Sequence, residues 1–333
     1  EIRLCVLSKA PKKTAEEYGV YSVNRYHFFK LKQTIAASKL LISGGGSLLQ
    51  DVTSSKSLWY YLTVMKVAKK LGVKVMVYAN GIGPVNRPKN RENAKTALSE
   101  ADFITLREEN SLEELKQLEI PLAHVRVTAD PALTIAPSPQ ERADSLLSEC
   151  GVQKDDSLIG ISVRAWKNCR PDFAAQVASA LDEVCKAYGL HPLFLPLKFP
   201  EDVQTARQVA AKLSVKGSII TKRYSAKDFI AVAGKCRVML AMRLHSLIYA
   251  ADVYVPTVGI AYDPKVSGFM RYLGMDDFVP AETLSRDELV RTLDRVLQNE
   301  EQIRTHLKEN MDVLKGKARE NAAIACRLIQ EEE

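Results

Sequence analysis

The chain has 333 residues, of which 46% are hydrophobic and 26% charged, and it carries a net charge of +7 with a pI near 9.0. This length predicts two domains, and the composition is that of an ordinary soluble globular protein. The basic balance favours anionic partners, but basic residues are mixed with acidic ones and no nucleic-acid-binding motif is present, so nucleic acid is not an expected partner.

No apolar run approaches the length that spans a bilayer, and the chain shows no signal-peptide pattern. It opens at Glu1 without an initiator methionine, and its second residue already belongs to an apolar run, so we expect the natural N-terminus to lie upstream. The cysteines show no CxxC pair and no ligand-like spacing, which predicts reduced, mostly buried thiols of a cytoplasmic protein and no metal site. They are Cys5, Cys150, Cys169, Cys185, Cys236 and Cys326.

The first half of the chain opens with a predicted strand over residues 2–7 and a second over residues 40–43. A glycine-rich turn follows, whose spacing matches neither GxGxxG nor the P-loop. Glycines after a strand allow positive φ angles and close approach of a ligand. The hydroxyl-rich segment after them favours a surface that binds a polar substrate such as a sugar, although a tight turn alone explains the glycines equally well. The candidate acceptor residues here are Gly44, Gly45, Gly46, Ser47, Asp51 and Ser54.

Further strands are predicted at residues 73–78, 103–106 and 125–128, each followed by a turn or a helix. Asn80 lies in the glycine turn after the first of these and joins the candidate acceptor residues. Arg107 follows the second, where it is either a rim charge or a ligand for an anion. Strands that alternate with helices in this way predict a parallel sheet covered on both faces.

Two prolines between residues 134 and 141, Pro137 and Pro139, predict a linker. The alternation then restarts with strands at residues 157–163, 192–197 and 218–221, the first of them followed by a basic loop over residues 164–171. The tail after Ser285 is charged and helical. We therefore expect an N-terminal domain at 1–138, a C-terminal domain at 139–315, and a last helix at 316–333 that packs back on the N-terminal domain.

Residues 237–265 form the most informative segment, because they read as a strand, a helix and a second strand. Arg243 and His245 stand where the first strand gives way to the helix, and Lys265 follows the second strand. Parallel strands joined in this way bind ligands beyond their carboxyl ends, and a helix N-terminus adds free N–H groups. Surface charges and a structural histidine are the alternative, but the coincidence of three such groups favours an anion site.

With four motifs in view, the chain resembles the polysaccharide pyruvyl transferases, and most closely the branch that modifies the lipid-linked precursor of bacterial secondary cell-wall polymers. The motifs are LISGGGSLLQD at 41–51, IGP at 82–84, TADP at 128–131 and RLHS at 243–246. Members of that family begin with a glycine-rich strand and turn upstream of the segment that starts here at Glu1. The resemblance implies an α/β fold of two Rossmann-like domains with parallel sheets facing a cleft, as in GT-B glycosyltransferases.

The resemblance also implies the chemistry. The donor is phosphoenolpyruvate, a co-substrate, and no cofactor is required; the acceptor is the 4,6-diol of a sugar, N-acetylmannosamine on a polyprenyl-diphosphate-linked disaccharide. A lipid-linked acceptor would place the protein at the inner face of the cytoplasmic membrane, with peripheral membrane contact. The donor contacts map to Arg243, His245 and Lys265, with Arg107 as a fourth.

The chemistry of the residues agrees with that assignment. Arg grips carboxylate or phosphate with two hydrogen bonds, and a positioned His can protonate the methylene carbon of the donor or contact its phosphate. Arg243 and His245 are therefore the candidate catalytic pair. Asp51 is a candidate base for the acceptor hydroxyl, or alternatively only a cap.

Two other functions remain open at this point. A GT-B glycosyltransferase or a sugar-nucleotide epimerase would share the architecture, and a non-enzymatic protein that binds anionic polymers would share the charge. An NAD-dependent oxidoreductase is disfavoured by the glycine spacing. The sequence leaves the oligomeric state open.

Overall fold

The computed structural model describes residues 2–52 and 54–330. The chain divides into two compact units. The first unit comprises Glu1–Pro131 and Gly316–Glu333, and the second unit comprises Ala132–Lys315. Both are built from strands that alternate with helices, as the sequence predicts.

The elements of the first unit, in chain order, are β1 (Cys5–Ser8), α1 (Pro11–Tyr18), β2 (Tyr21–Asn24), α2 (Phe28–Ala36), β3 (Leu40–Gly44), α3 (Ser55–Lys70), β4 (Lys74–Asn80), α4 (Pro88–Ser99), β5 (Phe103–Leu106), α5 (Glu109–Gln117) and β6 (Val125–Val127). A 3₁₀ turn, Pro131–Thr134, leads out of the unit.

Two parallel sheets form the first unit. β1 pairs with β2, and β3 to β6 form a four-stranded sheet in the order β3-β4-β5-β6. One face of α3 packs against this sheet: Leu58, Leu62, Met65 and Ala68 are buried in one core with strand residues. Because the strands are parallel, their carboxyl ends share one edge, and the glycine turn after β3 lies there.

The second unit contains α6 (Gln140–Glu149), β7 (Ser157–Ser162), α7 (Phe173–Tyr188), β8 (Leu190–Phe194), α8 (Glu201–Ala210), β9 (Ser218–Ile219), α9 (Ala226–Ala233), β10 (Cys236–Ala241), α10 (Leu244–Asp252), β11 (Thr257–Ala261), α11 (Pro264–Tyr272), β12 (Phe278–Pro280), α12 (Arg286–Gln298) and the greater part of α13 (Glu300–Gln330). The segment 237–265 thus folds as the predicted strand, helix and strand. Helix α6 was not predicted: its sequence is largely polar, and only Ala143, Leu146 and Leu147 are buried.

The second unit has one six-stranded parallel sheet in the order β12-β11-β10-β7-β8-β9. The chain starts this sheet in the middle, at β7, and builds outward first on one side and then on the other. The order therefore reverses between β7 and β10, which makes this junction the topological switch point where α/β sheets bind ligands. In the register of that pair, Ser162 lies opposite Ala241.

The end of α13 belongs to the first unit. Ile324, Ala325 and Leu328 form a small apolar cluster with Met76 of β4. The Thr128 hydroxyl donates to Asn321 Oδ1 at 2.9 Å, and Asn321 Nδ2 donates to the Ala129 carbonyl at 3.1 Å. Residues almost two hundred positions apart in sequence thus complete one packing unit.

All six cysteines are free thiols. Two of them, Cys185 and Cys236, are buried, and burial raises the pKa of each thiol to about 12. These two side chains act as apolar packing rather than as nucleophiles. Among the described residues, no helix combines the length and the apolar character that crossing a bilayer requires.

Candidate active site

Three of the predicted donor residues lie at the carboxyl edge of the second unit's sheet. Arg243 is the N-cap residue of α10, and His245 lies in the first turn of that helix. Lys265 lies in the first turn of α11, directly after β11. Since β10 and β11 are neighbours in the sheet, the structure brings these three residues to adjoining strand ends.

Arg243 is held by a carboxylate that the sequence did not reveal. Its Nε and Nη2 both donate to Asp202, with Nη2 to Oδ1 at 2.6 Å. Asp202 is only 1% exposed and also accepts hydrogen bonds from the backbone amides of Leu197 and Lys198. Because two donors of the guanidinium fork already hold this carboxylate, much of the charge of Arg243 is compensated within the protein.

His245 is half-buried, and its ring centroid lies 5.9 Å from that of Tyr249 one turn later in α10. The next residue, Ser246, is fully buried, and its Oγ is 2.7 Å from Oγ of Ser162 at the end of β7. This hydroxyl pair joins the first turn of α10 to the switch-point strand. The imidazole is therefore presented from a fixed helix start rather than from a free loop.

Lys265 is positioned by its backbone. The Asp263 side chain caps α11 by accepting from the Lys265 amide at 2.9 Å. The Lys265 side chain is half-buried, and no carboxylate of the described residues forms an ion pair with its ammonium group. Its charge is therefore available to a ligand.

Arg164 and its aromatic neighbours were not among the predicted site residues. The Arg164 guanidinium lies 4.8 Å from the ring centroid of Tyr262 and 5.6 Å from that of Trp166, and its Nη1 donates to Tyr262 Oη at 2.9 Å. Arg164 follows β7 by two residues, within the basic loop that the sequence showed. The pattern that could have identified it is a cation just beyond the strand at which the sheet order reverses.

Arg107 belongs to the first unit, whereas Arg243, His245 and Lys265 belong to the second. Its side chain is 5% exposed; Nη1 donates to Asp130 at 2.8 Å and Nη2 donates to Ser47 Oγ at 3.0 Å. The structure thus groups Arg107 with the glycine-rich turn. Neighbouring Gly81 has no room for a side chain, because an added Cβ would lie 2.7 Å from Glu108 Oε1 and 2.8 Å from Ser47 Oγ.

The glycine-rich turn has the backbone that its composition predicts. Gly44 ends β3, while Gly45 and Gly46 have φ angles of +80° and +69°, which side-chain-bearing residues rarely adopt. The Gly46 carbonyl accepts from the Gly81 amide at 2.9 Å, which ties this turn to the end of β4. An added Cβ at Gly45 or Gly46 would meet nothing within 4 Å, so this backbone borders open space.

Among the described residues, several buried polar side-chain atoms lack a hydrogen-bond partner, and three of them lie at the ends of three neighbouring strands. They are Ser43 Oγ, Asn80 Oδ1 and Arg107 Nε, the last with the Glu108 carboxylate 4.0 Å away. Asn80 is fully buried, and its Nδ2 donates to the Ser43 carbonyl at 2.8 Å. Buried polar groups are normally paired, so the atoms at this sheet edge are available to a polar ligand or to ordered water.

Asp51 and Ser54 have structural partners. Asp51 accepts hydrogen bonds from the backbone amides of Asn86 and Arg87 and from Asn90 Nδ2, at distances between 2.9 and 3.0 Å. Burial alone would raise the pKa of Asp51, but these hydrogen bonds hold it below its usual value. Because the Asp51 carboxylate is already hydrogen-bonded and only weakly basic, the structure favours the capping role over the role of a base. The segment that Asp51 caps is the start of α4. Ser54 caps α3 by accepting from the Ser57 amide at 3.3 Å.

Solved structures share this fold at low sequence identity. A UDP-GlcNAc 2-epimerase from Methanocaldococcus jannaschii is 14% identical, with a TM-score of 0.66 over 89% of this chain and 85% of its own. A glycosyltransferase from Rickettsia africae is 13% identical, with a TM-score of 0.65 over 99% and 91%. A UDP-GlcNAc 2-epimerase from Neisseria meningitidis, solved with UDP-GlcNAc bound, is 12% identical, with a TM-score of 0.64 over 99% and 92%. These similarities establish the GT-B-like fold and not the activity.

No curated protein matches the chain by sequence. A family model described as polysaccharide pyruvyl transferase matches residues 1–264. The matched span includes the glycine-rich turn, Arg107, Arg243 and His245, and it ends one residue before Lys265. The chain therefore belongs to the polysaccharide pyruvyl transferase family.

Proposed function

We propose that this pyruvyl transferase uses phosphoenolpyruvate as donor and forms a ketal on the 4,6-diol of a sugar, with release of phosphate. We further propose that the sugar is N-acetylmannosamine of a polyprenyl-diphosphate-linked cell-wall polymer precursor, reached at the inner face of the cytoplasmic membrane. The observation that carries the donor assignment is the group of cationic and titratable residues at the ends of β10 and β11, namely Arg243, His245 and Lys265.

The charge of the donor explains why such a group is needed. Phosphoenolpyruvate carries a carboxylate and a phosphate, and removing these anions from water without paired cations would be costly. Lys265 supplies a point charge without a carboxylate partner of its own among the described residues. The N-terminus of α10 adds backbone N–H groups that favour an anion.

The reaction proceeds by addition and elimination at C2 of the donor. His245, as imidazolium, gives its proton to the methylene carbon, and C2 becomes electron-deficient. One sugar hydroxyl adds to C2 and its proton returns to the His245 imidazole, and the C2–O bond to phosphate then breaks with its electron pair on the phosphate. The second hydroxyl adds to C2 and closes the ring, and its proton is taken up by the released phosphate. The products are the cyclic ketal and inorganic phosphate, so no oxidant or further co-reactant is consumed.

The first unit is the proposed acceptor side. Its glycine-rich turn borders open space, and among the described residues the nearby buried atoms Ser43 Oγ and Asn80 Oδ1 have no hydrogen-bond partner. Sugar hydroxyls both donate and accept hydrogen bonds, so they suit this mixture of acceptors and donors. Asp51 supports the proposed site through its bonds to residues 86–90 rather than as a base.

Phosphate release tests the proposal directly. The protein is incubated with phosphoenolpyruvate and a synthetic N-acetylmannosamine-containing disaccharide on a lipid diphosphate, and the product is analysed by mass spectrometry for the ketal. A parallel incubation contains UDP-GlcNAc in place of phosphoenolpyruvate. We expect phosphate and ketal only with phosphoenolpyruvate. Epimerisation or glycosyl transfer from UDP-GlcNAc, without phosphate release, would instead establish the GT-B glycosyltransferase or epimerase alternative.

Gly45→Val is expected to impair acceptor use. A β-branched residue is strained at a φ of +80°, and its methyl groups would occupy the open space beside the turn. Gly19→Val is the matched control, since Gly19 has a φ of +64°, also has nothing within 4 Å of an added Cβ, and caps α1 rather than a strand end. We expect both variants to lose similar stability, by thermal melting, but only Gly45→Val to raise the KM for the acceptor. A raised KM for phosphoenolpyruvate with an unchanged acceptor KM would show that the first unit binds the donor.

A further inference from the structure

A groove of about 270 Å³ lies between α3 and α4 of the first unit. It is lined by one face of each helix, at positions that recur with helical spacing: Trp59, Leu62, Thr63 and Lys66 of α3, and Lys89 and Asn93 of α4. Small-molecule sites commonly measure about 300–1,000 Å³, so this α3–α4 groove suits a sugar with its phosphate rather than a whole nucleotide sugar.

The α3–α4 groove is connected to the candidate acceptor residues. Helix α3 follows β3 and the glycine-rich turn, and α4 follows β4, so both helices start at the carboxyl edge of the sheet. Asn90 Nδ2 donates to Asp51 Oδ2 and to Ser55 Oγ, both at 2.9 Å. Its Oδ1 accepts from Trp59 Nε1 at 2.6 Å. The end of the groove at Trp59 is therefore the end nearest the proposed acceptor site.

Trp59 forms a flat aromatic surface in this groove. The side chain is 43% exposed, although its Nε1 is bonded to the buried Asn90. Leaving so much of a large apolar side chain in water is unfavourable, because burial of aromatic surface is a main gain of packing. The bond to Asn90 holds the indole in one orientation before a ligand arrives, which lowers the entropy cost of binding. An indole presented in this way suits the apolar face of a sugar ring.

Two lysines line the groove, and the described residues do not compensate their charges. Lys69 and Lys95, on the same two helices, are each paired with a carboxylate. No carboxylate within the described ranges forms an ion pair with Lys66 or Lys89. The Lys89 Nζ lies 5.6 Å from the ring centroid of Trp59, and an aromatic face attracts a cation without neutralising it. The groove thus combines an aromatic surface with two positive charges.

We propose that the α3–α4 groove extends the acceptor site and binds a phosphorylated sugar, with the sugar ring against Trp59 and the phosphate at Lys66 and Lys89. Thr63 and Asn93 supply hydrogen-bonding groups for the sugar hydroxyls. This inference rests on the proposed function, whose acceptor carries a diphosphate next to its disaccharide, and it assigns the surface that recognises that part of the acceptor.

The test compares two acceptors and two double variants. The acceptors are one N-acetylmannosamine-containing disaccharide as its methyl glycoside and as the diphosphate of a short, water-soluble lipid, so that no membrane contributes. The groove variant carries Lys66→Gln and Lys89→Gln. The matched control carries Lys70→Gln and Lys95→Gln, which remove one lysine from each helix outside the groove. The ion pair that the control loses, Lys95–Glu119, lies at the surface, where such pairs contribute little.

We expect the wild type and the control to have a KM for the diphosphate about 10- to 100-fold below that for the methyl glycoside, because hydrogen bonds to charged groups are strong. The groove variant should lose most of this preference, at an unchanged melting temperature and an unchanged KM for phosphoenolpyruvate. Added salt should raise the KM for the diphosphate only where Lys66 and Lys89 are present, since salt screens exposed charges. Trp59→Leu should raise that KM and keep its salt dependence.

The proposal is overturned if the groove variant prefers the diphosphate as strongly as the control does, or if the wild type shows no preference. It is also overturned if Trp59→Leu, folded as the wild type, leaves the KM for the diphosphate unchanged. A wild type that forms no ketal on either acceptor in the presence of phosphoenolpyruvate would overturn the proposed function itself, and that result is recognisable before any variant is made.

Discussion

His245→Gln is expected to lower turnover by about 10²–10⁴-fold, the usual contribution of one general acid, while phosphoenolpyruvate binding stays close to that of the wild type. Gln keeps a polar side chain of similar length but has no proton to give to carbon. His245 extends from the first turn of α10, whose start is fixed by the Arg243–Asp202 pair and by the Ser162–Ser246 hydroxyl pair. The variant should therefore change the chemistry more than the geometry.

Three measurements on this variant distinguish the possible roles of His245. Calorimetry with phosphoenolpyruvate reports donor affinity, a melting curve reports folding, and phosphate release reports turnover. A phosphate contact would weaken affinity together with the rate, and a structural histidine would lower the melting temperature. His306→Gln is a suitable control in the same unit, because His306 bonds the Leu273 carbonyl and lies on α13. Unchanged turnover in a well-folded His245→Gln protein would exclude a catalytic role.

Asp202→Ala should destabilise the second unit by about 3–5 kcal/mol, the cost of removing one partner of a buried ion pair. The carboxylate is 1% exposed and accepts bonds from Arg243 and from two backbone amides, so its loss leaves a cation and two N–H groups without partners. The lower part of this range is the better expectation, because the Arg243 side chain is itself 17% exposed. Donor binding should weaken as well, since the start of α10 loses its clamp.

The two tryptophans allow this loss to be assigned to one unit. Trp59 lies in the first unit and Trp166 in the second, and the chain has no other. In a Trp59→Phe background, denaturant unfolding followed by Trp166 fluorescence reports the second unit alone. Glu201→Ala is the control, since the adjacent Glu201 pairs with Lys198 at the surface and such pairs contribute little. Equal midpoints for the two variants would contradict a stabilising role for the Arg243–Asp202 pair.

Local periodicity was sufficient to predict the strand, helix and strand over residues 237–265 and the parallel sheets. The positions of Arg243, His245 and Lys265 at strand ends followed from it, because those positions depend only on where each strand stops. Asp202 could not be found in this way: it lies about 40 residues before Arg243, and which side chains meet depends on the packing of α8 against the sheet. The same limit applies to Arg107, whose contact with Ser47 joins two turns 60 residues apart.

The surroundings of Arg164 and Arg243 could not be predicted for a different reason. A sequence shows that a residue is cationic, but only the structure shows whether a carboxylate neutralises it. The sequence placed Arg243 first because of its position at a strand end, and the family resemblance agreed; the structure shows in addition that Arg243 has a buried counter-ion. Whether a charge is compensated depends on which residues are neighbours in three dimensions, and no periodic pattern in the sequence encodes this.

The contribution of α13 to the first unit has a consequence for the order in which the chain folds. The residues that complete the first unit, among them Asn321, Ile324 and Leu328, are synthesised after the whole second unit, roughly 190 residues later than residue 131. At synthesis rates of about 5–20 residues per second, this delay is on the order of ten to forty seconds. During that time the face of the sheet around Met76 is uncovered on the ribosome. The first unit therefore completes its fold last, although its synthesis begins first. A nascent chain stalled within the second unit would expose the apolar surface around Met76 to chaperones.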